Sequence, residues 1–198
     1  IAGSVRRALE SAVTWVLIVL AVLVVIVGIW LVVTYNGFVK LRNIVEESWR
    51  QIDVELHRRY DLIPNLVETV KGYAAHERTT FENVTAARAA AVTPGSGPAE
   101  QAVQENILTG ALRQLLMVAE AYPDLKANQN FLELQSQLTQ TEDRIAAGRR
   151  FYNANVRTFN TKVETFPPNL IARMFNFVKQ EYFEAEDPTV RAAPEVRF

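Results

Sequence analysis

Trp15-Val-Leu-Ile-Val-Leu-Ala-Val-Leu-Val-Val-Ile-Val-Gly-Ile-Trp-Leu-Val-Val33 decides how this chain is read. The run is apolar on every face, so as a helix it has no polar side to turn toward water. At ~1.5 Å per residue it is about as long as the hydrocarbon core of a bilayer is thick. Trp15 and Trp30 fall near its ends and Tyr35 stands just beyond, where amphipathic rings prefer the membrane–water boundary. A cleaved signal peptide has a shorter apolar core followed by small residues, and Val33-Thr34-Tyr35-Asn36 offers no such site. Residues 13–35 are therefore predicted to form one transmembrane helix, with residues 1–12 as its flank. Arg6 and Arg7 precede the span and Lys40 and Arg42 follow it, a tie under the positive-inside rule. The early arginine pair looks like an uncleaved signal anchor. That tips the bulk of the chain to the extracytoplasmic side.

Outside the span the composition is ordinary. Hydrophobic residues make up 49% of the 198 and mean hydropathy is +0.00, the apolar excess being local, since no charge lies between Glu10 and Lys40. A net charge of −1 gives no basic footprint for nucleic acid, and none is expected as a partner. Cysteine is absent, which excludes a disulfide framework, a thiol nucleophile and the usual structural zinc sites. Two histidines argue against a histidine-based metal or catalytic site.

Apolar spacing after residue 35 is helical throughout. Phe38, Leu41, Val45, Trp49, Ile52, Leu56 and Tyr60 recur at three or four residues and predict a first helix over 36–60. Asp61 can cap a second over 62–92, with Pro64 in its first turn and Ile63, Leu66, Val70, Phe81 and Val84 on its stripe. Thr93-Pro-Gly-Ser-Gly-Pro98 is a linker, and Pro98 suits the start of a third helix, 98–122, with Leu108, Leu112, Leu115 and Ala119 on its buried face. A fourth, 128–166, starts at Asn128 or at Asn130 with Glu133 as a capping box. Along it Phe131, Leu138, Ile145, Tyr152, Phe159 and Phe166 stand seven apart. The companion line, Leu134, Thr141, Gly148 and Asn155, shrinks or turns polar. It fits close helix packing near Gly148, or alternatively a polar pocket or an oligomer register device around Thr141 and Asn155.

Four helices with short connections favour an antiparallel up-and-down bundle over 36–166. The expected core comprises Leu41, Trp49, Ile52, Leu66, Phe81, Leu112, Leu115, Phe131, Leu138, Ile145, Tyr152 and Phe159. Up-down topology returns the fourth helix to the membrane side. Residues 167–198 then form an aromatic amphipathic segment and an extended acidic tail. On a helix from Asn169, the segment offers Leu170, Met174, Phe177 and Val178 on one face, flanked by Ile171 and Phe175. With Phe166, these are the candidate contacts to the membrane interface. The other reading, the more usual one for an apolar face in a compact domain, is that the face caps the base of the bundle or a neighbouring subunit.

The sequence holds little catalytic chemistry. Gly95-Ser-Gly97 lacks the lysine and spacing of a phosphate loop, and there is neither a Gly-x-Ser-x-Gly elbow nor a His-Glu-x-x-His pair. Asp53, His57 and Asp61 could share a helix face, but Arg58 and Arg59 crowd it with positive charge, and a solvated face is the better reading. Arg58-Arg59 and Arg149-Arg150 read as exposed basic pairs, and Glu142 and Arg144 as exposed or paired. No catalytic residue, cofactor or metal ligand is expected.

The stretches Tyr35-Asn-Gly-Phe-Val-Lys-Leu-Arg-Asn-Ile-Val-Glu-Glu-Ser-Trp-Arg-Gln-Ile-Asp-Val-Glu-Leu56 and Arg58-Arg-Tyr-Asp-Leu-Ile-Pro-Asn-Leu-Val-Glu-Thr-Val-Lys-Gly-Tyr-Ala-Ala-His-Glu77 resemble the bacterial LemA family. So do Ala119-Glu-Ala-Tyr-Pro-Asp-Leu-Lys-Ala-Asn128, Glu142-Asp-Arg-Ile-Ala146, Arg150-Phe-Tyr-Asn153, Phe166-Pro-Pro-Asn-Leu-Ile171 and Glu181-Tyr-Phe-Glu184. The resemblance covers residues 15–184. It implies a single-pass membrane protein with a four-helix bundle, and a membrane protease or other envelope protein as partner. Gly37-Phe38 departs from the family pattern and is expected to loosen the joint after the span. The function expected is a membrane-anchored helical scaffold or interaction module, non-catalytic and homo-oligomeric. The alternative is a small-ligand or lipid sensor using the small-residue line of the fourth helix or the aromatic tail.

Overall fold

The computed structural model describes residues 2–93 and 97–184, with side chains from Thr14 onward. Every regular element among the described residues is helical: α1 (Ala2–Lys71), α2 (Arg78–Ala91), α3 (Pro98–Glu120), α4 (Pro123–Lys126), α5 (Gln129–Glu164) and α6 (Pro168–Met174). The core of the expected linker, 94–96, and the tail from 185 lie outside the described residues.

The predicted break at Asp61 does not occur. α1 runs through Asp61 and Pro64 to Lys71. Proline lacks the N–H that would bond to the carbonyl four residues earlier, which leaves the Tyr60 carbonyl without its helical donor. Arg88 of α2 takes that place, its Nε donating to the Tyr60 oxygen at 2.7 Å. The break comes eleven residues later instead. Gly72 follows the basic last turn, Tyr73 and Ala74 N–H groups bond to Val70 O at 3.0 and 2.9 Å, and α2 starts at Arg78. Gly37 does not interrupt α1 either.

The other boundaries follow local chemistry. Pro98 and Pro123 open α3 and α4, where a missing N–H costs nothing. Asn128 Oδ1 accepts from the Phe131 N–H at 3.0 Å and caps α5, so the cap is Asn128 rather than Asn130. Glu133 instead accepts from Gln137 one turn along.

Contacts divide the chain into two compact units: Ile1–Asn43 with Phe159–Lys179, and Ile44–Thr158 with Gln180–Phe198. The first unit holds the apolar run, whose most apolar window has no buried residue and which is long and apolar enough to cross a membrane. Its packed part is aromatic. Phe38 is fully buried, stacks on Phe177 at 4.9 Å between centroids, and meets Phe159 edge-on at 6.1 Å. The second unit buries Ile52, Leu56, Leu66, Phe81, Leu108, Leu112, Leu115, Phe131, Leu138, Ile145 and Tyr152. The Glu181–Glu184 stretch is fixed to α5 there. The Phe183 N–H donates to Asn153 Oδ1 at 2.9 Å, Tyr152 Oη donates to Glu181 O at 2.9 Å, and Trp49 meets both the Tyr152 and Phe183 rings.

Candidate functional site

The densest chemistry in the second unit is built around Arg59, which is 1% exposed. Its place follows from period. Leu56, Arg59, Ile63 and Leu66 are all buried and recur at three or four residues, so Arg59 stands on the apolar stripe of α1. Arg59 Nη1 donates to Glu142 Oε1 of α5 at 2.5 Å and to Thr109 Oγ1 of α3 at 3.1 Å. Arg59 Nη2 pairs with Glu105 of α3, whose side chain is equally buried. The planar fork of a guanidinium suits this work, since a single rigid group reaches acceptors on two other helices.

Glu105 is held from its other side as well. Tyr60 Oη donates to Glu105 Oε1, and Gln101 Nε2, one turn back on α3, lies 2.7 Å from the same oxygen and 2.9 Å from Ala91 O at the end of α2. Burial pushes the Tyr60 hydroxyl up to about 12, although the positive charge of Arg59 works against the rise. The phenol therefore stays a neutral donor to the carboxylate. Four helices, α1, α2, α3 and α5, thus contribute to one connected set of polar bonds.

The surrounding groups are ordinary by comparison. Arg149 is half-buried, its guanidinium 4.7 Å from the Phe183 ring centroid, and burial followed by repulsion from Arg59 lowers its pKa. Arg144 and Glu55 form an ion pair at 3.3 Å. Asp53 and His57 pair at 3.4 Å on an exposed face, and no cluster of three acidic or histidine side chains fit for a metal occurs among the described residues. At Gly148 an added Cβ would stand 2.9 Å from Ile52 Cγ1, so the small residue makes room for Ile52. Thr141 donates to Gln137 O on its own helix at 2.8 Å, and Asn155 Nδ2 is buried without a partner. The companion line of α5 therefore serves close packing at Gly148.

The remaining expected residues divide clearly. Trp15 is exposed, Trp30 half-buried, and Tyr35 partly exposed. Leu41 and Trp49 are half-buried and Phe159 is buried. Phe166, Leu170, Met174 and Phe175 are exposed. Phe177 is not on their face. α6 ends at Met174, Asn176 takes a positive φ of 54°, and the chain turns Phe177 inward onto Phe38. Arg59 is not part of an exposed basic pair either; Arg58 alone is exposed.

Sequence reasoning passed over Arg59, Gln101 and Glu105, although the signal was present. The α3 stripe of Leu108, Leu112 and Leu115 continues backward at the same spacing to Glu105 and Gln101. Charged residues were assigned to solvent by type, and position on the stripe overrides type when partners lie within reach.

The whole of this network, from Arg59 and Tyr60 to Glu142, and the Glu181–Glu184 stretch fall inside residues 48–198, the part of the chain that matches the LemA family model. The chain belongs to the LemA family. Among its relatives are the magnetosome proteins MamQ 1 and MamQ 2 of Paramagnetospirillum magneticum, each 28% identical, with the match covering 85% of this chain and 71% of the relative. Protein LemA of Metamycoplasma hominis is 26% identical over 77% of this chain and 69% of its own length.

Proposed function

We propose that this LemA protein is a single-pass inner-membrane protein whose helical part is an antiparallel four-helix bundle acting as a non-catalytic scaffold. Its partners on this reading are further copies of the same chain and other envelope proteins, a membrane protease among them, met on the extracytoplasmic side. One observation carries the reading. The buried carboxylate of Glu105 pairs with Arg59 at one oxygen and accepts from Tyr60 and Gln101 at the other. A catalytic carboxylate needs an open face and a substrate within reach; Glu105 has neither. What such a network supplies is register. A buried ion pair adds little net stability, but it penalises any helix alignment that separates its members.

The apolar run supports the anchor, being both long enough to span and unburied. Exposed apolar side chains on α3, Val103, Ile107 and Met117, give the scaffold surface for contacts. The test is purification of the full chain in mild detergent, with mass measurement and crosslinking in native membranes. A discrete multimer, or a complex with an envelope protein, is the expected result. Monomers alone under both treatments would end the scaffold reading.

A further inference from the structure

The first unit pairs the apolar span with a short aromatic segment, and their contact fixes the depth of the segment. Tyr35 lies two residues past the end of the apolar run at Val33, about 3 Å beyond it at ~1.5 Å of rise per residue. The Phe175 ring lies against it, 4.8 Å between centroids. Whatever height Tyr35 takes at the edge of a bilayer, Phe175 lies within 4.8 Å of it.

The segment is two-sided at that height. Ile171, Ala172 and Phe177 are buried, and Phe177 is clamped between the Phe38 ring and the Arg42 guanidinium, 5.5 Å from its centroid. On the other side Phe166, Leu170, Met174 and Val178 are 72, 51, 68 and 60% exposed, and Phe175 turns half its surface outward. Arg173 is exposed in the last turn of α6. Large apolar groups with a cation among them, held level with the end of a membrane span, match the chemistry of a lipid headgroup boundary. A water-facing loop has no use for five such side chains together.

We infer that the Phe166–Val178 segment is a second, interfacial membrane contact, seating Leu170, Met174, Phe175 and Val178 at the boundary between headgroups and acyl chains and Arg173 against lipid phosphate. The occupant of the exposed face is the bilayer itself. This rests on the proposed anchoring of the span, and it differs from the sequence-based face in that Phe177 belongs to the protein side.

The chain has no cysteine, so one introduced thiol gives one labelled position. Full-length Met174→Cys and Leu170→Cys, each carrying an environment-sensitive fluorophore, are reconstituted into vesicles of phosphatidylcholine and phosphatidylglycerol. Leu23→Cys, in the span, is the companion. Lipids with a nitroxide near the headgroup should quench most of the fluorescence at 174 and at 170, and aqueous iodide should quench little. Lipids with a nitroxide deep in the acyl chain should quench the label at 23. Iodide quenching at both 174 and 170 without lipid quenching overturns the inference, because the face then meets water. Insensitivity to both quenchers overturns it too, because the face then meets protein. If Leu23 also escapes the deep quencher, the anchored reading falls along with it; if Leu23 is quenched, only the interfacial contact is lost.

Discussion

Around Arg59 the chain buries charge; around Phe38 it buries rings. The Arg59 set joins four helices through directional bonds, each member placed within about 3 Å of its partner. The Phe38 set relies on shape, with ring centroids 4.9 to 6.1 Å apart and the Arg42 and Lys162 side chains lying over its rings. The first arrangement is intolerant of misalignment and contributes little net energy. The second contributes energy in proportion to the area it removes from water and tolerates small shifts. Mutations should therefore separate the two regions by the kind of damage as well as its size.

The largest effect is expected at Arg59. Arg59→Met leaves Glu105 buried without its cation and should cost about 5 kcal/mol, the upper end for a broken buried ion pair. Urea unfolding of the detergent-solubilised chain measures it. Adding Glu105→Leu should recover most of the loss, and a double variant no better than Arg59→Met alone would show that Arg59 matters by volume rather than by charge.

Phe38→Ala removes the ring at the centre of the other cluster and should cost about 3 kcal/mol. No second substitution of a single polar group should rescue it. Lys162 lies 4.8 Å from the Phe38 ring centroid, with its pKa lowered by burial. A rescue by Lys162→Met would mean that this cluster is held by charge after all.

Alkali offers a third contrast. Burial pushes Tyr60 and Tyr152 up to about 12, from an ordinary 10. Both hydroxyls are retained as neutral donors in the folded chain. Their contribution is complete below about pH 10 and is lost as pH rises toward about 12, because the unfolded chain releases those protons first. Stability measured from pH 9 to 12 should fall, and Tyr60→Phe should flatten the fall. An unchanged slope in Tyr60→Phe would show that the Tyr60 hydroxyl is not held out of water in the folded chain.

The smallest effect is expected at the α5 cap, which belongs to neither network. Asn128→Ala should cost about 1 kcal/mol, while Glu133→Ala should be close to neutral because Glu133 does not complete a capping box. A thermal melt of the pair distinguishes them.

Long-period features were legible in the sequence. The long apolar helix, the α3 start at Pro98 and the buried line Phe131, Leu138, Ile145 and Tyr152 depend only on spacing and on the φ that proline fixes. What failed needed a partner remote in sequence. Pro64 looked like a helix start because its missing bond is normally fatal inside a helix, and Arg88, 24 residues on, was the compensation. Arg59 looked solvent-exposed because its acceptors, Glu105 and Glu142, stand 46 and 83 residues away. Phe177 was placed by helical period beyond a helix that stops at Met174. The true end of α1 was the exception, a local signal in Lys71-Gly72 that Pro64 overshadowed.

The bond from Arg88 to the Tyr60 carbonyl has an evolutionary corollary. A lineage that replaces Pro64 with an ordinary residue regains an amide for that carbonyl, and position 88 is then released from its duty to donate. A lineage that loses Arg88 first meets an orphaned acceptor in the middle of α1. Substitutions at 64 and 88 should therefore be ordered in time, the proline giving way before the arginine, and relatives that keep the proline should keep a donor able to reach it.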